Sequence, residues 1–336
     1  MITAKNLSFG FPQRELFWNV NFTLEKDRHC ALIGSNGTGK TSLLRLIQQP
    51  DLFTYEGRLI YEDVGRIGYV SQFAQRDKEQ TDTVLEYLSR DFQDLEGKIT
   101  AVCEEMASGE NLDALMEQYQ QLLDESQAMD ADNYEVNIHR QLHLAELTDK
   151  AGLEMGKLSG GEYKLVQVIR QMLRRPGLLI MDEPDVFLDF ENLNGLRDLI
   201  NAYKGTLLVV THSRYLLAHC FDRIWHLENG DLQEFEGNFT QYSYSRLQKK
   251  IDLKERFSPS YSKTALFIKR AVLIVINHYF IYGYFCTFSW FPGIRIVTIL
   301  TSHRTALKKY NIAQARTVNG AKAFLRMNIT LHNPIR

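Results

Sequence analysis

The segment Gly34-Ser35-Asn36-Gly37-Thr38-Gly39-Lys40-Thr41 combines the residue types that grip a phosphate chain. Glycines let the backbone curl until successive N–H groups point inward at anionic oxygens. The ammonium of Lys40 can reach the terminal phosphates, and the Thr41 hydroxyl can ligate Mg2+. An apolar run, Cys30-Ala31-Leu32-Ile33, precedes the segment, and a helical pattern of Leu43, Leu44, Leu46 and Ile47 follows it up to Pro50. Strand, glycine loop and helix is the context this motif requires, and the helix N-terminus adds a partial positive charge. An ordinary glycine-rich turn would explain the octapeptide alone but not its flanks.

Acids stand at the end of a second apolar run. Leu178-Leu179-Ile180-Met181 reads as a buried parallel strand with Asp182 at its carboxyl end and Glu183 next. Ligand groups in open α/β sheets lie at such ends. Asp182 is placed to hold Mg2+, and Glu183 to orient or deprotonate an attacking water. A third run, Leu207-Leu208-Val209-Val210, leads into Thr211-His212-Ser213, so His212 would face the same edge. Ser159-Gly160-Gly161-Glu162 opens a helical pattern carried by Leu165, Val166, Val168, Ile169, Met172 and Leu173. Such a start offers N–H groups and a hydroxyl to an anion; taken alone, it also reads as an ordinary N-cap.

In this order the motifs resemble the ATP-binding cassette family over about residues 1–250. The resemblance implies an α/β nucleotide-binding domain with a helical lobe, and Mg2+-dependent ATP hydrolysis. It carries roles to individual positions. Phe11 would stack on adenine, residues Gly34 to Thr41 would hold the phosphates, and Thr41, Gln72 and Asp182 would serve Mg2+. Glu183 would be the general base, and His212 and Gln72 would contact the γ-phosphate or the water. Ser159, Gly160 and Gly161 would contact nucleotide on a second cassette, with Asp189 at that junction.

Three features bring the sequence closest to the ABC-F branch, whose members act on ribosomes: Glu162 ending the signature, Arg214-Tyr215-Leu216 after the histidine, and the long interval from Gln72 to Ser159. That interval holds Phe92, Leu95, Ile99, Val102 and Met106, then a turn at residues 107–111, then Leu112, Leu115, Tyr119 and Leu122. The spacing predicts two amphipathic helices with one apolar seam, an inserted hairpin arm within residues 84–145. The alternative is that both helices belong to the usual helical lobe. The branch implies a cytoplasmic translation or antibiotic-resistance factor that protects ribosomes, here truncated to one cassette, whose arm reaches rRNA, tRNA or a ribosomal protein. A transporter ATPase subunit, or a remnant unable to turn over ATP, are the competing readings. Asp185, Val186, Phe187 and Ser213 depart from the branch pattern, which bears on contacts between cassettes rather than on the base or metal ligands. Arg170, Arg174 and Arg175 form one candidate basic patch for a ribosome.

Composition divides the chain. Its 336 residues carry a formal charge of −2, with 44% hydrophobic and 24% charged positions. Residues 1–256 hold 28 Lys+Arg and 41 Asp+Glu, 28 − 41 = −13, whereas residues 257–336 hold 11 Lys+Arg and no acid, +11. Collagen-like, wholly disordered and disulfide-scaffold classes are excluded. The four cysteines include no Cys-x-x-Cys pair, which points to a reducing compartment, and the first residues lack the layout of a signal peptide. The cassette is expected over residues 1–245, with a charged linker helix starting at 246–256. The acid-free tail from 257 onward shows no second phosphate loop. Residues 271–294 are long enough to span a bilayer. A membrane anchor, a buried extension and an out-of-frame terminus replacing a second cassette are the three readings of this tail.

Overall fold

The computed structural model describes residues 1–72, 77–107 and 111–257, and the strand residues 285–291, 294–300, 308–311 and 328–331. The chain opens with β1 (Ile2–Phe11), β2 (Arg14–Leu24) and β3 (His29–Ile33), followed by α1 (Lys40–Gln48). Strands β4 (Glu56–Tyr61) and β5 (Ile67–Val70) lead into helices α2 (Val84–Ala107), α3 (Leu112–Met129) and α4 (Tyr134–Leu144). Then follow α5 (Gly160–Leu173), β6 (Leu178–Asp182), α6 (Phe190–Ala202), β7 (Thr206–Val210), α7 (Arg214–Cys220), β8 (Arg223–Glu228) and β9 (Asp231–Glu236). Residues Met1–Asn238 form one compact unit.

A six-stranded sheet runs in the order β5-β6-β7-β3-β8-β9, parallel except for the edge strand β9. The apolar runs of the sequence are its central strands. They are uninterrupted because both faces are covered. Cys30, Leu32, Ile180, Leu208 and Trp225 enter one core with Leu43, Leu46 and Ile47 of α1 and the antiparallel sheet β2-β1-β4. The alternate residues Ala31, Leu179, Met181, Leu207 and Val209 are equally buried. Period-2 patterning is seen instead in strands such as β1 and β2, where one face meets solvent. Because β3, β6 and β7 are parallel neighbours, the residues after their last positions converge on one edge.

Helices α2 and α3 pack as a hairpin, with Asn111 in the left-handed conformation at the start of α3. Phe92, Leu95 and Val102 are buried along the predicted seam. Met129 is the one fully buried residue of α3, while Leu112 and Met116 are exposed. The base of α2 is bolted to α5 by charge. Both Oδ atoms of Asp91 accept from Arg170 (2.9 and 2.9 Å) and from Arg174 (2.7 and 2.5 Å), and the Arg170 guanidinium lies 4.5 Å from the Tyr87 ring centre. Arg175 donates to Asp130 at 2.6 Å. The basic run at 170–175 is thus committed to acids of the same chain, which weakens it as a free patch for nucleic acid. Its acidic partners lie 79, 83 and 45 residues away, beyond any local pattern.

From Phe239 onward the chain forms a second unit. It contains α8 (Phe239–Phe257), which takes in the linker residues 246–256, and a four-stranded antiparallel sheet. That sheet consists of β10 (Phe285–Phe291), β11 (Ile294–Leu300), β12 (Lys308–Asn311) and β13 (Asn328–Leu331) in sequence order. Of the candidate span 271–294, residues 271–284, 292 and 293 lie outside the described residues, and the rest are strand. Among the described residues no helix is long and apolar enough to cross a membrane.

Burial pushes the Asp91 carboxyl up, but hydrogen bonds and charge from Arg174 and Arg170 outweigh it and hold the pKa far below the usual carboxylate range. Replacing Asp91 with Asn should therefore lower the unfolding free energy by about 3 kcal/mol near neutral pH. A carboxylate with a depressed folded pKa stabilises above its unfolded value, so the wild-type advantage should shrink as pH falls below about 4. Urea unfolding of both proteins between neutral and acid pH checks the magnitude and the sign.

Candidate functional site

The loop between β3 and α1 is shaped by close approach. A Cβ on Gly34 would sit 2.2 Å from the Leu227 carbonyl oxygen, so only glycine fits. Gly37 and Gly39 have φ of 77° and 101°, in the region that favours glycine. The Thr38 hydroxyl donates to the Ser35 carbonyl at 2.9 Å and tightens the turn. Lys40 is buried, and its Nζ curls back to the carbonyls of Gly34 (3.0 Å) and Ser35 (3.1 Å). Burial lowers its pKa, and the charges of Glu183 and Asp182 oppose that shift. Thr41 occupies the exposed first turn of α1, after Ser35 and Asn36 have turned the chain.

Asp182 closes β6 at 2% exposure. Its Oδ2 accepts from the Tyr69 hydroxyl at 3.3 Å, while Oδ1 is buried without a hydrogen-bond partner. An orphaned carboxylate oxygen beside a lysine-lined loop fits a hard divalent cation sharing its shell with phosphate. Among the described residues no cluster of three or more His, Cys, Asp or Glu could hold a metal alone. Of the residues expected to serve a metal, Asp182 is the one that presents a buried oxygen without a partner.

Glu183 adopts φ of 46°, a left-handed conformation that costs a non-glycine residue about 1–2 kcal/mol. Its N–H is tied to the Val210 carbonyl at 2.9 Å, across from the end of β7. The bend directs the carboxylate between two side chains. Gln72 Nε2 donates to Oε2 at 2.7 Å, and His212 Nε2 lies 3.7 Å from Oε1. Gln72, Asp182, Glu183, His212 and Lys40 thus meet at one edge of the sheet, brought there by β5, β6, β7 and β3. A carboxylate so held can take a proton from a water on the phosphate side.

The other predicted residues lie apart from this cluster. Ser159 caps α5 in a reciprocal box, accepting from the Glu162 N–H at 3.2 Å while its own N–H donates to Glu162 Oε2 at 2.7 Å. The hydroxyl therefore fulfils the N-cap reading; Gly160 follows it, and a Cβ on Gly161 would meet the Asn192 side chain at 2.7 Å. Asp189 caps α6 by accepting from the Asn192 N–H at 2.9 Å. Phe187 and Phe190, on either side of it, are exposed at 79% and 70%. Phe11 is also exposed, at the β1–β2 turn. Its register partner Arg14 donates to the Gly37 carbonyl at 2.8 Å, bringing that hairpin to the phosphate loop.

Tyr69, Lys164 and Arg14 were not legible as site residues. Lys164 carried one signal, a lone charge on the apolar stripe of α5 between Gly161 and Val168. A cavity of about 480 Å3, reached by His29, Lys204 and Cys220, opens at the amino end of β3, the opposite end from the phosphate loop. Its walls include no residue of the cluster.

The family model described as ABC transporter matches residues 17–186, half of the chain. The chain belongs to the ATP-binding cassette family. Cassettes of this family bind ATP, typically with Mg2+, and work in pairs. The Bacillus subtilis ABC transporter ATP-binding protein YfmR is 30% identical over 76% of this chain and 40% of its own length. The energy-dependent translational throttle protein EttA of Escherichia coli K12 is 28% identical over 69% of this chain and 42% of its own. The chain thus spans less than half the length of these two relatives. The solved structure of RNase-L Inhibitor, 21% identical with a TM-score of 0.52 over 74% of this chain and 42% of that one, shares the fold.

The Tyr69 hydroxyl supports the cassette's buried carboxylate. Burial, reinforced by the Asp182 charge, pushes its pKa up to about 12, so it remains a donor at neutral pH. Tyr69→Phe should cost about 2 kcal/mol of stability by leaving Asp182 less satisfied, read as a shift of the urea midpoint without a change in slope.

Proposed function

We propose that this chain is a Mg2+-dependent ATPase of the ABC-F branch, completing its site with a second cassette and acting at the ribosome. The observation that carries the catalytic part is the Glu183 carboxylate held between Gln72 and His212, next to the unsatisfied oxygen of Asp182. Lys40, Thr41 and the glycine loop would cradle the phosphates, Asp182 and Thr41 would hold Mg2+, and Phe11 would carry the adenine. Bound Mg2+ would neutralise charge on the phosphates. Glu183 would accept the proton of the attacking water, His212 would steady the γ-phosphate, and Gln72 would keep the carboxylate aimed. Ser159, Gly160 and Gly161 would serve the nucleotide of the partner cassette.

Support for the branch comes from the α2–α3 hairpin and from the likeness to EttA, a translational throttle by its name. The hairpin also bears on its partner. Residues 84–129 contain 2 basic and 11 acidic residues, a net −9. Such an arm repels phosphate backbone and suits a basic protein surface, so a ribosomal protein fits better than rRNA or tRNA. A transporter subunit is the second reading, supported by the name of YfmR.

The Glu183→Gln variant tests both levels. It should bind ATP as wild type does, lose turnover by about 100-fold or more, and co-sediment with ribosomes in ATP. Turnover per wild-type molecule should rise with protein concentration, because a lone cassette must find a partner. ATP binding with undiminished turnover in the variant would remove Glu183 as the base. Co-purification with multi-span membrane proteins instead of ribosomes would favour the transporter reading. Absence of wild-type turnover at every concentration would leave an ATP-binding remnant.

A further inference from the structure

Lys164 is a buried cation with an unusual set of neighbours. It is 4% exposed, on the apolar stripe of α5. Its Nζ donates to the backbone carbonyls of Ser71 and, at 3.2 Å, of Gln72. An ammonium placed this deep needs compensating charge. Asp182 and Asp185 supply it, and Asp185 keeps a buried Oδ1 with no hydrogen-bond partner. Gln72, whose carbonyl Lys164 holds, is the residue whose side chain grips Glu183 at 2.7 Å. A rigid helix, a buried ammonium and a glutamine therefore connect the start of α5 to the Glu183 carboxylate.

We propose that Lys164 is a positioning residue that clamps the backbone at Ser71 and Gln72 and thereby fixes the Gln72 side chain on Glu183. The clamp stands on geometry, whereas its effect on turnover rests on Glu183 being the base of an ATPase. Lys164 lies five residues after Ser159, about 7.5 Å along the helix. Whatever seats or shifts the Ser159-Gly160-Gly161 turn then moves the clamp with it, because an α-helix of this length is stiff. The end of α5 offered to a second cassette is in this way mechanically tied to the base of its own.

The full chain carrying Lys164→Met tests this. Removing the ammonium leaves buried carboxylates uncompensated, so Lys164→Met/Asp185→Asn is made alongside to remove the unpaired charge. In both variants, hydrogen exchange of the peptide containing Ser71 and Gln72 should speed up about tenfold, with peptides of β3 and α1 unchanged. In both, kcat should fall about tenfold or more with KM within about twofold. In a Gln72→Ala background, Lys164→Met should lower kcat no further. Unchanged exchange at Ser71 and Gln72, or an equal rise across β3 and α1, overturns the clamp. Faster exchange there with full kcat overturns the positioning role. If wild type shows no turnover, the ATPase reading fails and the exchange measurement alone decides the clamp.

Discussion

Asp182 holds a carboxylate at the end of β6, almost wholly out of water, with one oxygen lacking any protein partner. A buried charge of this kind is costly unless its surroundings repay it. Tyr69 donates from β5 to the other oxygen, and the carboxylate interacts with the charges of Lys40 and Lys164. These partners come from three elements, β5, α1 and α5, packed around the end of β6. The bend at Glu183 and the curl of the phosphate loop follow from the same edge. What remains unsatisfied is one carboxylate oxygen of Asp182.

Much of this was legible because it is local. Strand, glycine loop and helix around residues 30–47 follow one another without a gap, and backbone sterics at Gly34, Gly37 and Gly39 explain the residue types. Asp182 and Glu183 announced themselves by ending an apolar run. The hairpin was readable from a 3–4 spacing, since α2 buries a single stripe. The contacts that escaped are long-range ones. Tyr69 meets Asp182 across 113 residues, and Lys164 meets the Gln72 carbonyl across 92. Neither pairing has a periodicity to betray it. Arg170 and Arg174 read as a patch because Asp91 stands 79 and 83 residues before them. Ser159 shows the complementary case, where a cap and a ligand group use the same hydroxyl and local pattern cannot separate them.

The charge break at residue 257 falls inside the second unit, which begins earlier, at Phe239, and takes in Asp252 and Glu255. Acids dominate residues 1–256, where many are paired: Asp91, Asp130 and Asp182 each meet basic or hydroxyl partners, and the hairpin keeps a surplus of negative charge. The acid-free residues beyond belong to that second unit, whose described parts are α8 and four antiparallel strands. The cassette and this unit therefore differ in composition and in architecture alike. The matched family covers residues 17–186 and stops well short of it.

The central claim is that Asp182 completes a Mg2+–ATP site at the edge of the sheet. Isothermal titration of ATP into wild type and Asp182→Asn, each with and without Mg2+, addresses it directly. Mg2+ should tighten ATP binding about tenfold or more in wild type and hardly at all in the variant. Equal Mg2+ dependence in the two proteins would contradict the account.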